Sequence, residues 1–221
     1  MLIYLIQNRG FITVPQLLLL LVSYAFLILV CLPFHEFAHA LAAHWMGDDT
    51  AKWNGRLTLH PRAHLDKIGT LMMLLVGVGY ARPVPVNPRY FRNRKAGMAL
   101  TAVAGPLSNL LLAFLSLAVF RVIIELPLSY DAMMLCSYVF MGILAPINIG
   151  LAAFNLLPLF PLDGSRILAL FLPYRVMYNL ERYHQYITYG VILLVWLGAF
   201  DKPLYYIQSF FGELFMKILC F

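Results

Sequence analysis

Residues 15–47 read PQLLLLLVSYAFLILVCLPFHEFAHALAAHWMG, and this stretch decides the fold class. No Asp, Glu, Lys or Arg interrupts it before Glu36, and its apolar pattern ends at Gly47-Asp48-Asp49. Pro15 suits the first turn of a helix, where its missing N–H is not needed. Glycine just beyond the last turn is the usual stop. Such a helix is about 45 Å long at about 1.5 Å per residue, and a hydrocarbon core is about 30 Å thick. The stretch therefore predicts a membrane helix that emerges into the headgroups.

The rest of the chain follows the same pattern. Of its 221 residues, 62% are hydrophobic and only 12% charged, with a mean hydropathy of +0.80. A soluble domain solvates its surface with about 25% charged residues, so this composition excludes one. Further runs without Asp, Glu, Lys or Arg cover 68–81, 96–120, 132–162, 183–200 and, more briefly, 203–212. The expected architecture is an all-α integral membrane protein, a polytopic bundle of about five to six transmembrane or re-entrant helices. Residues 1–221 read as a single domain. Segments 97–124, 132–157 and 184–200 are expected to span. Segment 68–81 is either re-entrant or a short span, and the tail 203–221, broken by Glu213 and Lys217, spans or lies at the interface. Leu57 and Leu59 alternate around Thr58, which predicts a short β-like cytoplasmic segment ending at His60-Pro61. Three prolines in 82–88 predict extended chain there.

Charge orients this bundle. Basic residues gather in short loops: Lys52, Arg56, Arg62 and Lys67, then Arg82, Arg89, Arg92, Arg94 and Lys95, then Arg166, Arg175 and Arg182. That is the positive-inside pattern of a cytoplasmic side, so the net charge of +6 reads as topology and not as nucleic-acid binding. Residues 125–131 lack Lys and Arg and are expected outside. Arg9 precedes a run too long for a signal core, so no cleavable signal peptide is expected. Cys31, Cys136 and Cys220 are far apart and form no disulfide framework.

The chemistry starts at His35-Glu36-Phe37-Ala38-His39. On a helix, positions four apart share a face, so both imidazoles can bind one metal ion. Glu36 lies about 100° round from His35, where it can reach a water on the metal rather than the metal itself. His44 is about 180° from His35 and is expected to face solvent or headgroups. A catalytic zinc takes three protein ligands. The carboxylates available are Glu125, Glu181, Glu213, Asp48, Asp49, Asp66, Asp131, Asp163 and Asp201. Asp163 ends a run uncharged back to Ala132, at the close of Asn155-Leu156-Leu157-Pro158-Leu159-Phe160-Pro161-Leu162-Asp163-Gly164. Alone it reads as a turn residue; beside the histidine motif it becomes the preferred third ligand. His60 and His64 are read as solvent-exposed, with a second metal pair or the rim of the site as alternatives. Gly105 and Pro106 suit close helix packing, and Asn109 a structural or polar-network role.

Three blocks, His35 to His39, Gly105-Pro106-Leu107-Ser108-Asn109 and Asn155 to Gly164, give the chain a clear likeness. It resembles the site-2 proteases, intramembrane zinc metalloproteases, in their short bacterial form without an inserted PDZ domain. Members of that subgroup carry Asn where His60 stands. The resemblance implies that His35, His39 and Asp163 bind Zn²⁺, that Glu36 is the general base, and that Asn155 holds substrate or polarises the scissile carbonyl. It implies an endopeptidase acting on transmembrane protein substrates in the lipid bilayer, in a bacterial inner membrane. The zinc face lies about 12–18 Å from the helix end at Gly47, nearer the cytoplasmic side. An unwound substrate could pair with 57–60 or 82–88 by strand addition. Two alternatives remain: a prenyl-protein-type zincin with Glu181 as third ligand, and a non-proteolytic membrane metal-binding or transport protein.

Overall fold

In a computed structural model the structure describes residues 14–76 and 79–220. Contacts divide the chain into two compact units, Met1–Thr101 and Ala102–Phe221.

The first unit opens with α1 (Val14–Phe26), a π-helical turn (Leu27–Cys31) and α2 (Leu32–Trp45), one continuous apolar rod. The π turn has a local cause. Pro33 cannot donate, and in a regular helix its ring meets the carbonyl four residues back. Widening the preceding turn, where Leu32 N–H bonds Leu27 O, lets the rod continue through the proline. The helix stops at Met46, and Gly47 takes φ +104°. Asp48 is fully buried just beyond; its two oxygens accept from Thr50 N at 2.9 Å and Asn87 N at 2.6 Å. That carboxylate ties the extended 81–87 chain to the end of α2. Val84 then packs on Ala40 and Ala51, with Leu57 and Val86 alongside.

Between them lie two single turns, α3 (Thr50–Trp53) and α4 (Pro61–His64), and then α5 (Lys67–Val76). The alternation at 57–59 forms no strand, and none occurs among the described residues. Its backbone is consumed locally. His64 Nε2 donates to the Thr58 carbonyl at 2.6 Å, and the Thr58 hydroxyl accepts from His60 N at 3.2 Å. Helix α5 has 10 residues, about 15 Å, half a hydrocarbon core. The chain then returns beside its own start, where Arg82 N donates to His64 O at 2.7 Å. A Cβ on Gly79 would stand 2.1 Å from Gly69 O, and one on Gly69 2.0 Å from Tyr80 O, so only glycine admits this approach. The two ends of 67–82 lie together, and the segment does not cross. Residues 77–78, within the run expected to be re-entrant, lie outside the described residues.

The second unit begins inside α6 (Arg94–Ile123), which contains Pro106. It continues through α7 (Tyr130–Ser137), capped by the Ser129 hydroxyl, a second π turn (Tyr138–Leu144) and α8 (Ala145–Leu156). Again the π turn immediately precedes a proline, Pro146. After α9 (Asp163–Leu168) and α10 (Tyr174–Arg182) come α11 (His184–Trp196) and α12 (Asp201–Ile218). Phe215 of α12 docks against Ala113, Leu117, Ala145 and Ile149. Asn109 and Asn148 are both fully buried; Asn109 Nδ2 donates to Asn148 Oδ1 at 3.4 Å, and Asn148 Nδ2 to Leu144 O at 2.9 Å.

Among the described residues, three helices are long and apolar enough to cross a membrane: Leu17–Trp45, Arg94–Ile123 and Tyr130–Leu156. The expected count of about five to six transmembrane or re-entrant helices is not confirmed, because the other apolar segments differ from these three. Segment 67–82 turns back. The 184–200 span shortens to 13 helical residues, about 20 Å, because the chain turns at Gly198 with φ +73°. Helix α12 is 18 residues long but carries Asp201, Lys202, Glu213 and Lys217.

The Asn109–Asn148 pair generates the first prediction. Interhelical hydrogen bonds in apolar surroundings contribute about 0.6–2 kcal/mol. Asn148→Leu should therefore lower stability by about 1 kcal/mol in SDS titration of the detergent-solubilised protein; an unchanged midpoint would show that the pair contributes nothing.

Candidate metal and catalytic site

The first unit holds the histidine motif. His35 and His39 are buried on one face of α2, with their rings edge to face and Nε2 atoms 3.0 Å apart. His39 Nδ1 lies 2.6 Å from the Thr101 carbonyl. A carbonyl only accepts, so Nδ1 carries the proton and Nε2 is left with its lone pair. This is the arrangement of a metal-ligating imidazole, whose second nitrogen donates to a backbone carbonyl. Two tetrahedral zinc ligands with Zn–N of about 2.0–2.1 Å stand about 3.3 Å apart. The spacing observed fits that donor set.

Glu36 is also buried. Its charge reaches two residues from the loop, Arg56 and His64. His64 is fully buried, which corrects the expectation that it faces solvent; only His60 is exposed, accepting from Arg62 N at 3.2 Å. The two have separate partners and do not act as a pair. Because His64 Nε2 donates to Thr58 O, its Nδ1 carries a lone pair, and that atom is buried without a hydrogen bond. Burial pushes the His64 pKa below the ordinary histidine value; the Thr58 bond opposes this, the Arg56 charge reinforces it and Glu36 opposes it. Arg56 is buried too, with Nη2 on the Arg82 carbonyl and Nε unpartnered. Neither residue stood out in the sequence as buried, because each resembles the loop charges around it. His44, expected to face solvent or headgroups, is half-buried against the Asp49 carboxylate.

The second unit holds Asn155 and Asp163 on adjoining elements. Asn155 lies in the last turn of α8, and one of its amide hydrogens goes to Leu151 O at 2.9 Å. The loop 157–162 contains the cis peptide Phe160–Pro161. Asp163 opens α9 and is buried. Gly164 follows because nothing larger fits: its Cβ would lie 2.3 Å from Leu156 O and 2.4 Å from Leu157 O. The Ser165 hydroxyl closes the turn by donating to Leu162 O at 2.6 Å. Thus α9 is pressed against the end of α8, and the carboxylate and the amide come from one tight connection. The Glu181 side chain lies outside the described residues.

Residues 123–198, which include the Asn155 to Gly164 block, match Peptidase family M50. The chain is 40% identical over 180 residues to the "Putative zinc metalloprotease YwhC" of Bacillus subtilis, covering 78% of this chain and 80% of that protein. It is 32% identical over 141 residues to Rip2 of Mycobacterium tuberculosis, which carries the same description, covering 62% and 52% of the two chains. Rip2 of Mycolicibacterium smegmatis is 30% identical over 151 residues, covering 66% and 54%. No solved structure matches significantly. On this likeness the chain belongs to peptidase family M50, the zinc-dependent metalloproteases that include the site-2 proteases.

Proposed function

We propose that this protein is an intramembrane zinc endopeptidase that hydrolyses peptide bonds in or near the transmembrane segments of membrane protein substrates. The observation that carries this reading is the buried pair His35 and His39, with Nε2 atoms 3.0 Å apart inside a 29-residue apolar helix. His35, His39 and Asp163 hold the metal, as the family resemblance implies, and residues 1–221 act as one domain in supplying them. When bound, zinc polarises the scissile carbonyl and makes water a nucleophile near neutral pH.

The chain's own residues handle the protons and the substrate. Glu36, about 100° round the helix from His35, flanks the ligand face without occupying it. It takes a proton from the attacking water as the C–O bond forms, and delivers it to the leaving nitrogen as the C–N bond breaks. Asn155 commits one amide hydrogen to Leu151 and has a second for the carbonyl oxygen that becomes negative. His39 keeps its Nδ1 proton on Thr101 throughout. The setting is the lipid bilayer of a bacterial inner membrane, and the basic loops support a site nearer the cytoplasmic side.

Glu36→Gln should retain stoichiometric zinc and lose about 10²–10⁴-fold in cleavage of a reconstituted transmembrane substrate. His35→Ala and Asp163→Ala should lose the zinc itself, read by elemental analysis of the purified protein. Zinc-free wild type, or metal flux into liposomes without peptide cleavage, would sink the protease reading. Gly164→Ala tests the tight turn separately. Displacing α9 by about 1 Å should cost about 10²-fold in cleavage, with the fold intact by circular dichroism; full activity would mean that the Asp163 turn tolerates displacement.

A further inference from the structure

The first unit contains a cavity of about 190 Å³ lined by Asn54, Arg56, Arg82, Pro83 and Pro85. Pockets for drug-sized ligands measure about 300–1,000 Å³, so this one suits a small group. Two arginines line it and no acid does.

The charges around it are accounted for. Residues 1–101 contain four acids: Glu36, Asp48, Asp49 and Asp66. Asp48 is taken by Thr50 N and Asn87 N, and Asp49 by His44. Asp66 accepts from Ile68 N and Gly69 N, both at 2.9 Å. Glu36 acts on Arg56 only as a charge through space. Among the described residues, no carboxylate pairs with Arg56 or Arg82. Yet Arg56 is only 5% exposed, and its Nε has no partner. An arginine stays charged at any physiological pH, so this is a buried cation with open donor capacity, a costly arrangement unless an anion completes it. Burial pushes its pKa down; the Glu36 charge opposes this and the neighbouring Arg82 reinforces it.

The site is built to hold its shape. Arg56 Nη2 donates to the Arg82 carbonyl, and Arg82 N–H is bonded to His64 O. Pro83 and Pro85 form a wall with fixed φ. Arg82 is exposed and lines the same cavity as the buried Arg56.

We propose that the Arg56–Arg82 cavity binds a phosphate-class oxyanion, drawn either from the headgroup of an anionic phospholipid or from free phosphate. Two forks of N–H donors suit a tetrahedral oxyanion, and charge-assisted bonds of this kind are about twice as strong as neutral ones. The site is distinct from the proposed zinc ligands, and binding to it requires neither zinc nor substrate.

The test uses the full chain in nanodiscs of phosphatidylcholine, with and without phosphatidylglycerol, and in phosphatidylcholine with added inorganic phosphate. The expected result is a rise in thermal midpoint of several degrees with one or both anions. A rise with phosphatidylglycerol alone assigns the headgroup, and a rise with inorganic phosphate assigns the free ion. Arg56→Gln and, independently, the exposed Arg82→Gln should weaken the response about tenfold in anion concentration, while Arg89→Gln, outside the cavity, should not. If Arg56→Gln does not fold, Arg82→Gln carries the test alone. No rise in wild type, or an equal rise in Arg82→Gln, overturns the proposal. Zinc content measured on the same samples separates this outcome from failure of the protease reading.

Discussion

The histidine motif of the first unit is oriented by one hydrogen bond, from His39 Nδ1 to the Thr101 carbonyl. A neutral imidazole has one proton, and committing it to Nδ1 leaves Nε2 as a lone pair facing the His35 ring. The same bond ties residue 39 to residue 101, the motif helix to the opening turns of α6. It also satisfies a polar group where little water is available, at a cost of about 1–3 kcal/mol if left unmade. Its acceptor is backbone, so no side-chain change at Thr101 removes it directly.

The long helices obey a related constraint. A segment in hydrocarbon must satisfy its backbone internally, and proline removes one donor. Two of the three long apolar helices meet this by placing a π turn just before the proline: Leu27–Cys31 before Pro33, and Tyr138–Leu144 before Pro146. The consequence reaches the chemistry. A π turn adds a residue to one turn and so rotates everything beyond it relative to the preceding rod. Pro33 stands two residues before His35, so the direction in which the motif faces is set there and not by the regular repeat of α1. The Asn109–Asn148 contact follows the second π turn in the same way, since Asn148 back-bonds to the last π residue, Leu144.

What was legible in the sequence was whatever depends on near neighbours. The placing of His35 and His39 side by side needs only a four-residue spacing and a helix. The apolar rods at 15–46, 97–124 and 132–157 need only composition. Legibility failed where a distant group decides. Leu57-Thr58-Leu59 has the alternation of a strand, but the carbonyl a ladder would use is claimed by His64. His64 looked like a loop histidine and is fully buried, with its carbonyl bonded to the distant Arg82 N–H. The 184–200 span looked continuous, but its helix ends before Gly198, whose positive φ no hydropathy pattern reveals. Asp163 is intermediate: its type and its place among prolines were visible, while the turn that buries it rests on Gly164 meeting two carbonyls.

The loops of the first unit extend this argument, because their acidic and basic residues do different work. Asp48 and Asp66 spend their oxygens on backbone N–H groups, and Asp49 on a histidine. A carboxylate used in this way is a structural clip, fastening the end of α2 to the 81–87 chain and starting α5. None of the three neutralises a lysine or an arginine. The basic residues of 48–95 therefore keep an excess of positive charge that loop packing does not consume. By the positive-inside rule it is Lys and Arg, with little contribution from Asp and Glu, that orient a membrane protein. One loop can then satisfy two constraints without conflict, since acids bound to backbone fold it and free cations orient it. Exchanging an acid for its amide in such a loop disturbs packing long before it disturbs topology.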